Sequence, residues 1–124
     1  MVLAIPQLTN AHILTPVAYA QEATTTARDA WLDALSQCEN NQWPQRKKIV
    51  DVNGYYSYGP MMYQLSTWLG AGKDYGFKTT RANIYDQALQ EAVTTAMLDD
   101  GRASAWWTCS KRVQKAMGDW PVVE

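Results

Sequence analysis

Hydrophobic positions first become regular at Ala27. From there Trp31, Leu35 and Cys38 recur at spacings of three and four with Leu32 beside them, which predicts a helix from Ala27 to about Asn40. The stretch before it, Gln21 to Thr26, is small and polar and suits a linker or a helix entry. Pro44 and the run Arg46-Lys47-Lys48 then break the pattern into a loop. Ile49 to Tyr58 carries β-prone side chains around Asn53-Gly54, a strong turn pair, and predicts a short irregular hairpin over 49–58. Met61 to Leu69 predicts a short helix closed by Gly70 and Gly72.

Further on, Asn83 opens a helix as its cap, with Asp86 three residues later in a loose capping box. Its expected inner face is Ile84, Ala88, Ala92, Val93, Ala96 and Met97, and Gly101 ends it. A last short helix follows Ser110 as cap, turns Val113 and Met117 inward and stops at Gly118. No internal repeat or low-complexity stretch interrupts this order. The pattern describes a mainly α chain of several helices with one small β element.

A length of 124 residues makes this one small domain around one core. A net charge of −1 and a single dense basic run leave no polyanion-binding surface, so no nucleic-acid partner is expected. Six tryptophans and seven tyrosines against one phenylalanine are unusual. Such amphipathic aromatics fill cores and also line grooves for polar ligands, sugars especially. Residues 1–20 contain no Lys, Arg, Asp or Glu and end in Ala18-Tyr19-Ala20, the small-x-small pattern of signal-peptide cleavage. Pro6, Asn10, His12 and Pro16 interrupt the stretch, so stable membrane insertion is not expected. It reads as the remnant of a signal peptide, or else as an N-terminal arm, ahead of a domain over 21–124. Export would put the two cysteines in a compartment where they can pair.

Elimination narrows the chemistry. The only histidine, His12, lies in the leader, so Ser-His and Cys-His machinery is missing from the domain. Two cysteines without a usable histidine do not make a zinc site, and no Gly-rich phosphate loop is present. No metal or cofactor is expected. What remains is carboxylates, tyrosines and backbone dipoles. With Trp31 at zero on the helical wheel, Leu35 falls at about 40°, Glu39 at about 80° and Leu32 at about 100°. Glu39 therefore projects from inside the apolar arc, at the negative end of the helix. Both circumstances raise a carboxyl pKa, which is what a general acid for glycosidic cleavage requires. The competing reading is a frayed last turn with Glu39 facing water.

Several stretches resemble one known family. Trp-Leu-Asp-Ala-Leu-Ser-Gln-Cys-Glu-Asn-Asn-Gln-Trp, from Trp31 to Trp43, is similar to the opening of the resuscitation-promoting factor catalytic domain. That opening has a Trp, then Cys-Glu-Ser, then an Asn-Trp pair. Asn53 to Tyr56 resembles the family's Asn-Gly-Tyr-Tyr. Gly59 to Trp68 resembles its Gly-Gly-Leu-Gln-Phe…Ser-Thr-Trp, and also the Gly-Leu-Met-Gln motif of soluble lytic transglycosylases. Ser104 to Cys109 resembles its closing Ala-Trp-Pro-x-Cys. The four motifs run in order from Trp31 to Cys109.

The resemblance implies a lysozyme-like α+β fold and cleavage of the MurNAc–GlcNAc β-1,4 bond of peptidoglycan, as a lytic transglycosylase or muramidase. It implies a secreted, periplasmic or cell-wall-associated monomer whose partner is the glycan strand. It places the catalytic acid at Glu39 and bridges Cys38 to Cys109. The N-acetyl group of the sugar would stabilise the oxocarbenium-like state. Glu39 would then deprotonate either the C6 hydroxyl, giving a 1,6-anhydro product, or a water. Three departures stand out. The stretch between Trp43 and Asn53 is longer than in the family, Gly59-Pro60 replaces the glycine pair, and Met62 replaces the glutamine, with Gln64 two positions on.

Two roles are open for Asp51: a second carboxylate that activates water, or a cap on the Asn53-Gly54 turn. Asn53, Tyr56, Tyr58, Gly59, Met62, Tyr63, Gln64, Trp68 and Trp107 are the candidate substrate contacts. Strand alternation puts Tyr56 and Tyr58 on one face, Trp68 is also suited to the core, and of Trp106 and Trp107 one is expected in the core and the other at the cleft. The rival function classes are a non-catalytic cell-wall binding module and a disulfide-stabilised helical domain that binds a protein partner.

Overall fold

A computed structural model describes residues 16–123 of the chain. Its elements are α1 (Pro16–Glu39), β1 (Lys48–Val50), β2 (Tyr56–Tyr58), β3 (Tyr63–Gln64), α2 (Leu65–Tyr75), α3 (Gln87–Asp99) and α4 (Trp107–Met117). A 3₁₀ turn, Ala103–Trp106, leads into α4. Most of the expected leader, with His12, lies outside the described residues.

The first helix begins eleven residues earlier than its apolar pattern. Proline at its first position costs no hydrogen bond there, and alanines flank the weakly helical run Thr24–Thr26. Trp31, Leu32 and Leu35 are buried as the spacing predicts, whereas Ala27 is exposed. In its place the half-buried Arg28 pairs with Asp99, donates from Nε to the Pro121 carbonyl at 2.8 Å and lies over the Trp120 ring.

The second helix is displaced from its expected span. Residues 61–64 are used by a turn and by β3, and the helix passes through both Gly70 and Gly72. Gly72 is there for contact, not for stopping, since a Cβ at that position would overlap the Thr79 side chain. The helix ends at Gly76, in the left-handed conformation with φ 77°.

Asp86, not Asn83, caps α3, with its carboxylate accepting from the Leu89 N–H at 3.0 Å. Asn83 instead closes the preceding loop, accepting from the Thr80 N–H and donating to the Lys78 carbonyl, both at 2.8 Å. Val93 and Met97 are buried as expected, but Ala88 and Ala92 are exposed, and Ile84 is buried in the loop before the helix. The polar Gln90 and Thr94 take the inner positions because each is hydrogen-bonded there. The last helix starts before Ser110, which is buried inside it. Val113 points inward, while Met117, in the final turn, is 46% exposed.

The three strands form one antiparallel sheet in the order β1-β2-β3. Ile49 faces Ser57, and Ser57 in turn faces Gln64. The hairpin was expected; the two-residue third strand was not. Helix α1 packs on α4 and α2 on α3, around a core of Leu35, Met61, Trp68, Val93 and Met97. Tyr63 joins sheet to core: its ring meets Trp106 edge-on at 5.6 Å and its hydroxyl bonds Thr94 at 2.7 Å. The result is a small α+β domain with one disulfide, Cys38–Cys109. Among the described residues no helix is long and apolar enough to cross a membrane.

Candidate active site

Glu39 is the last residue of α1, and a disulfide and the hydrogen bonds of Asn40 hold that helix end. The disulfide ties the neighbouring Cys38 to α4, with Cα atoms 5.6 Å apart. Next in the chain, Asn40 is buried and donates from Nδ2 to the Arg46 and Gly59 carbonyls, at 2.8 and 3.2 Å. Its Oδ1 accepts from the Gln42 N–H. Sequence reading missed Asn40, because the pattern marked only the end of a helix there. An asparagine at a helix end was its one available signal, and its burial is seen only in the structure.

The carboxyl of Glu39 lines a cleft of about 270 Å³ between the sheet and the helices. Ile49, Asp51 and Ser57 from the first two strands and the turn between them line it with Met62, Tyr63 and Gln64, and Thr67, Ala105 and Trp106 complete the lining. Burial pushes the Glu39 carboxyl up from 4.5 to about 7, and the negative charge of Asp51 adds to the shift. Neither ion pair among the described residues involves Glu39. It is half-buried, not enclosed, so a ligand has access to it.

Asp51 points into the same cleft. Its carboxylate accepts from the Ser57 hydroxyl and, at 3.1 Å, from the Gln64 carboxamide. The turn is closed without that carboxylate: backbone bonds join Asp51 to Gly54 and Tyr55, and the Asn53 side chain accepts from the Tyr55 N–H at 3.1 Å. Capping the turn therefore falls to Asn53, and the Asp51 carboxylate lines the cleft, held there by Ser57 and Gln64.

The other expected contacts separate into two groups. Met62, Tyr63 and Gln64 line the Glu39 cleft, where Met62 holds a left-handed φ of 54°. Tyr63 reaches it only as a wall, since it is buried and its hydroxyl is bonded within the core. Asn53, Tyr56 and Tyr58 line a second recess, of about 630 Å³. The two tyrosines share a face as alternation requires, with ring centroids 6.1 Å apart, and Ser57 between them faces Glu39. Gln64 lines both cavities and joins them.

Three expected contacts belong elsewhere. Trp68 is fully buried, with its indole N–H donating to the Thr80 carbonyl at 3.1 Å. Gly59 lines neither cavity. Its N–H donates to Lys47, its carbonyl accepts from Met62 and Asn40, and a Cβ on it would overlap Gln90. Trp107 is 61% exposed, away from both cavities and under the Lys111 ammonium. Its neighbour Trp106 is both the core tryptophan and the one at the cleft, anchored by its indole N–H to the Met61 carbonyl at 2.9 Å. Ile49, Ser57, Thr67 and Ala105 carried no sequence signal, because only the register and helix docking bring them to the cleft. Among the described residues no group of three or more His, Cys, Asp or Glu side chains is placed to hold a metal ion.

Comparison of the chain with protein-family models, with curated proteins and with solved structures finds no match. The chemistry of the cleft has to be read from its own residues. A carboxyl that keeps its proton to near neutral pH, in an accessible cleft also lined by a second carboxylate, can give a proton to a leaving oxygen while the second activates water.

Proposed function

We propose that this chain is an exported peptidoglycan-cleaving enzyme with a lysozyme-like fold, acting on the MurNAc–GlcNAc β-1,4 bond with Glu39 as general acid. The observation that carries the proposal is the raised Glu39 carboxyl beside Asp51, at a helix end held by the Cys38–Cys109 bridge. The motif resemblance points to the same residue and the same bridge, and the disulfide suits an oxidising compartment outside the cytoplasm. Glu39 protonates the glycosidic oxygen as the bond to the sugar ring breaks. Because Asp51 lines the cleft, water activation is favoured over attack by the C6 hydroxyl and closure of a 1,6-anhydro ring. The products then carry reducing ends.

A zymogram on purified peptidoglycan, wild type beside Glu39→Gln, tests the proposal. Clearing by wild type alone is expected. Equal clearing by both proteins removes Glu39 from the chemistry. Co-sedimentation with peptidoglycan without clearing at any pH identifies a cell-wall binding module instead, and neither clearing nor co-sedimentation points to a protein-binding domain. Mass spectrometry of the fragments decides the route, because anhydro and reducing ends differ by one water.

A further inference from the structure

The second recess is larger than the cleft, and a glycan-cutting reaction at Glu39 does not by itself use it. Tyr55, Tyr56 and Tyr58 line it with Leu65, Leu69 and Arg81, while Asn53 and Gln64 sit at the side nearer the cleft. No Asp or Glu is among its lining residues. Arg81 is exposed and takes part in neither ion pair among the described residues. Lys48 is outside the lining, with its ammonium 4.5 Å from the centre of the Tyr56 ring. Tyr55 and Leu69 are 68% and 42% exposed, so the apolar surface is open to a ligand.

We propose that this recess binds a short peptide of small residues ending in a free carboxylate, the kind of branch a cell-wall glycan carries, with Arg81 as the partner of that carboxylate. The peptide identity rests on the proposed function; the recess and its charge do not. A guanidinium without a carboxylate partner, beside apolar walls, selects a ligand with a small apolar body and an anionic end. Asn53 and Gln64 presently bond each other in both directions, Nδ2 to Oε1 at 3.3 Å and Nε2 to Oδ1 at 3.2 Å. Such a carboxamide pair can open to bond a peptide backbone without leaving a buried group unsatisfied. Because Gln64 also bonds Asp51, a peptide held here would sit next to the reacting sugar.

The test is an NMR titration of the full chain with N-acetylated trialanine, as the free acid and as the C-terminal amide. The free acid is expected to shift the amide signals of residues 53–58, 64–69 and 81, and to bind about fivefold more tightly than the amide, the effect of one exposed charged pair. Arg81→Gln, a change at an exposed position, should bring the free acid down to the affinity of the amide. Equal binding of acid and amide, equal binding by Arg81→Gln, absence of binding, or shifts confined to the Glu39 cleft overturns the proposal. The outcome is separable from cleavage: a chain that binds trialanine here and clears no peptidoglycan loses only the enzymatic reading. One that clears peptidoglycan without binding trialanine loses only this one.

Discussion

Replacing Glu39 with glutamine should stabilise the protein, and only above acidic pH. The carboxyl is raised from 4.5 to about 7 by burial first and by Asp51 second. Below pH 4.5 it is neutral in both the folded and the unfolded chain, so the fold loses nothing. Between 4.5 and about 7 the folded chain binds more protons than the unfolded one, and stability falls as pH rises through that window. Above it, the folded state holds a partly desolvated charge facing another of the same sign. A shift of this size corresponds to about 3 kcal/mol for an enclosed group, and partial solvent exposure reduces it to about 2 kcal/mol. Glutamine keeps the shape and never ionises. The stability difference between Glu39→Gln and wild type should therefore be near zero at pH 4 and about 2 kcal/mol at pH 8, or about 8 °C in Tm for a chain of this size. Urea denaturation of both proteins across this range measures it, and subtracting the two curves cancels the other titrating groups. A difference that stays constant with pH refutes the reasoning, because a solvated Glu39 carries no such linkage.

Four other outcomes are expected. Cleavage should fall as pH rises past about 7, where Glu39 loses its proton, read from a pH–rate profile; Asp51→Asn should remove most of the cleavage and lower the Glu39 titration without abolishing its shift, read from a carboxyl ¹³C titration. Reducing the bridge, or replacing both cysteines with serine, should cost about 4 kcal/mol in the chain-entropy model, for a span of 71 residues, measured as a shift in the urea midpoint. Gly59→Ala should destabilise by about 2–4 kcal/mol, since it combines a left-handed φ of 80° with overlap on Gln90; an unchanged Tm would remove the contact. Asn40→Ala should cost about 2–3 kcal/mol by leaving the Arg46 and Gly59 carbonyls without their side-chain partner, and should lower cleavage further than its stability loss at the assay temperature accounts for.

Local pattern was enough for those features that depend on one stretch of chain. Trp31, Leu32 and Leu35 face the core because their spacing allows no other common face, Asn53-Gly54 turns because its backbone preferences demand it, and Glu39 sits in the apolar arc for the same periodic reason. Residues 59–68 show the limit. Met61 to Leu69 reads as a helix, but pairing of Gln64 with Ser57 takes residues 63–64 into β3 and starts the helix at Leu65. The same pairing brought Gln64 to Asp51 and assigned turn capping to Asn53. Composition could say that tyrosines were available for a groove; only the sheet could put Ser57 on the side of Glu39 and Tyr56 and Tyr58 on the other. Likewise Gln90 and Thr94 displaced Ala88 and Ala92 from the inner face of α3 because partners from distant segments satisfied their polar atoms, and a one-methyl side chain loses little when left in water. Periodicity is a property of neighbours in the chain, so it was legible in the sequence. The charge beside Glu39 and the division of the groove arise between residues on different elements, and the pairing and packing of those elements determined them.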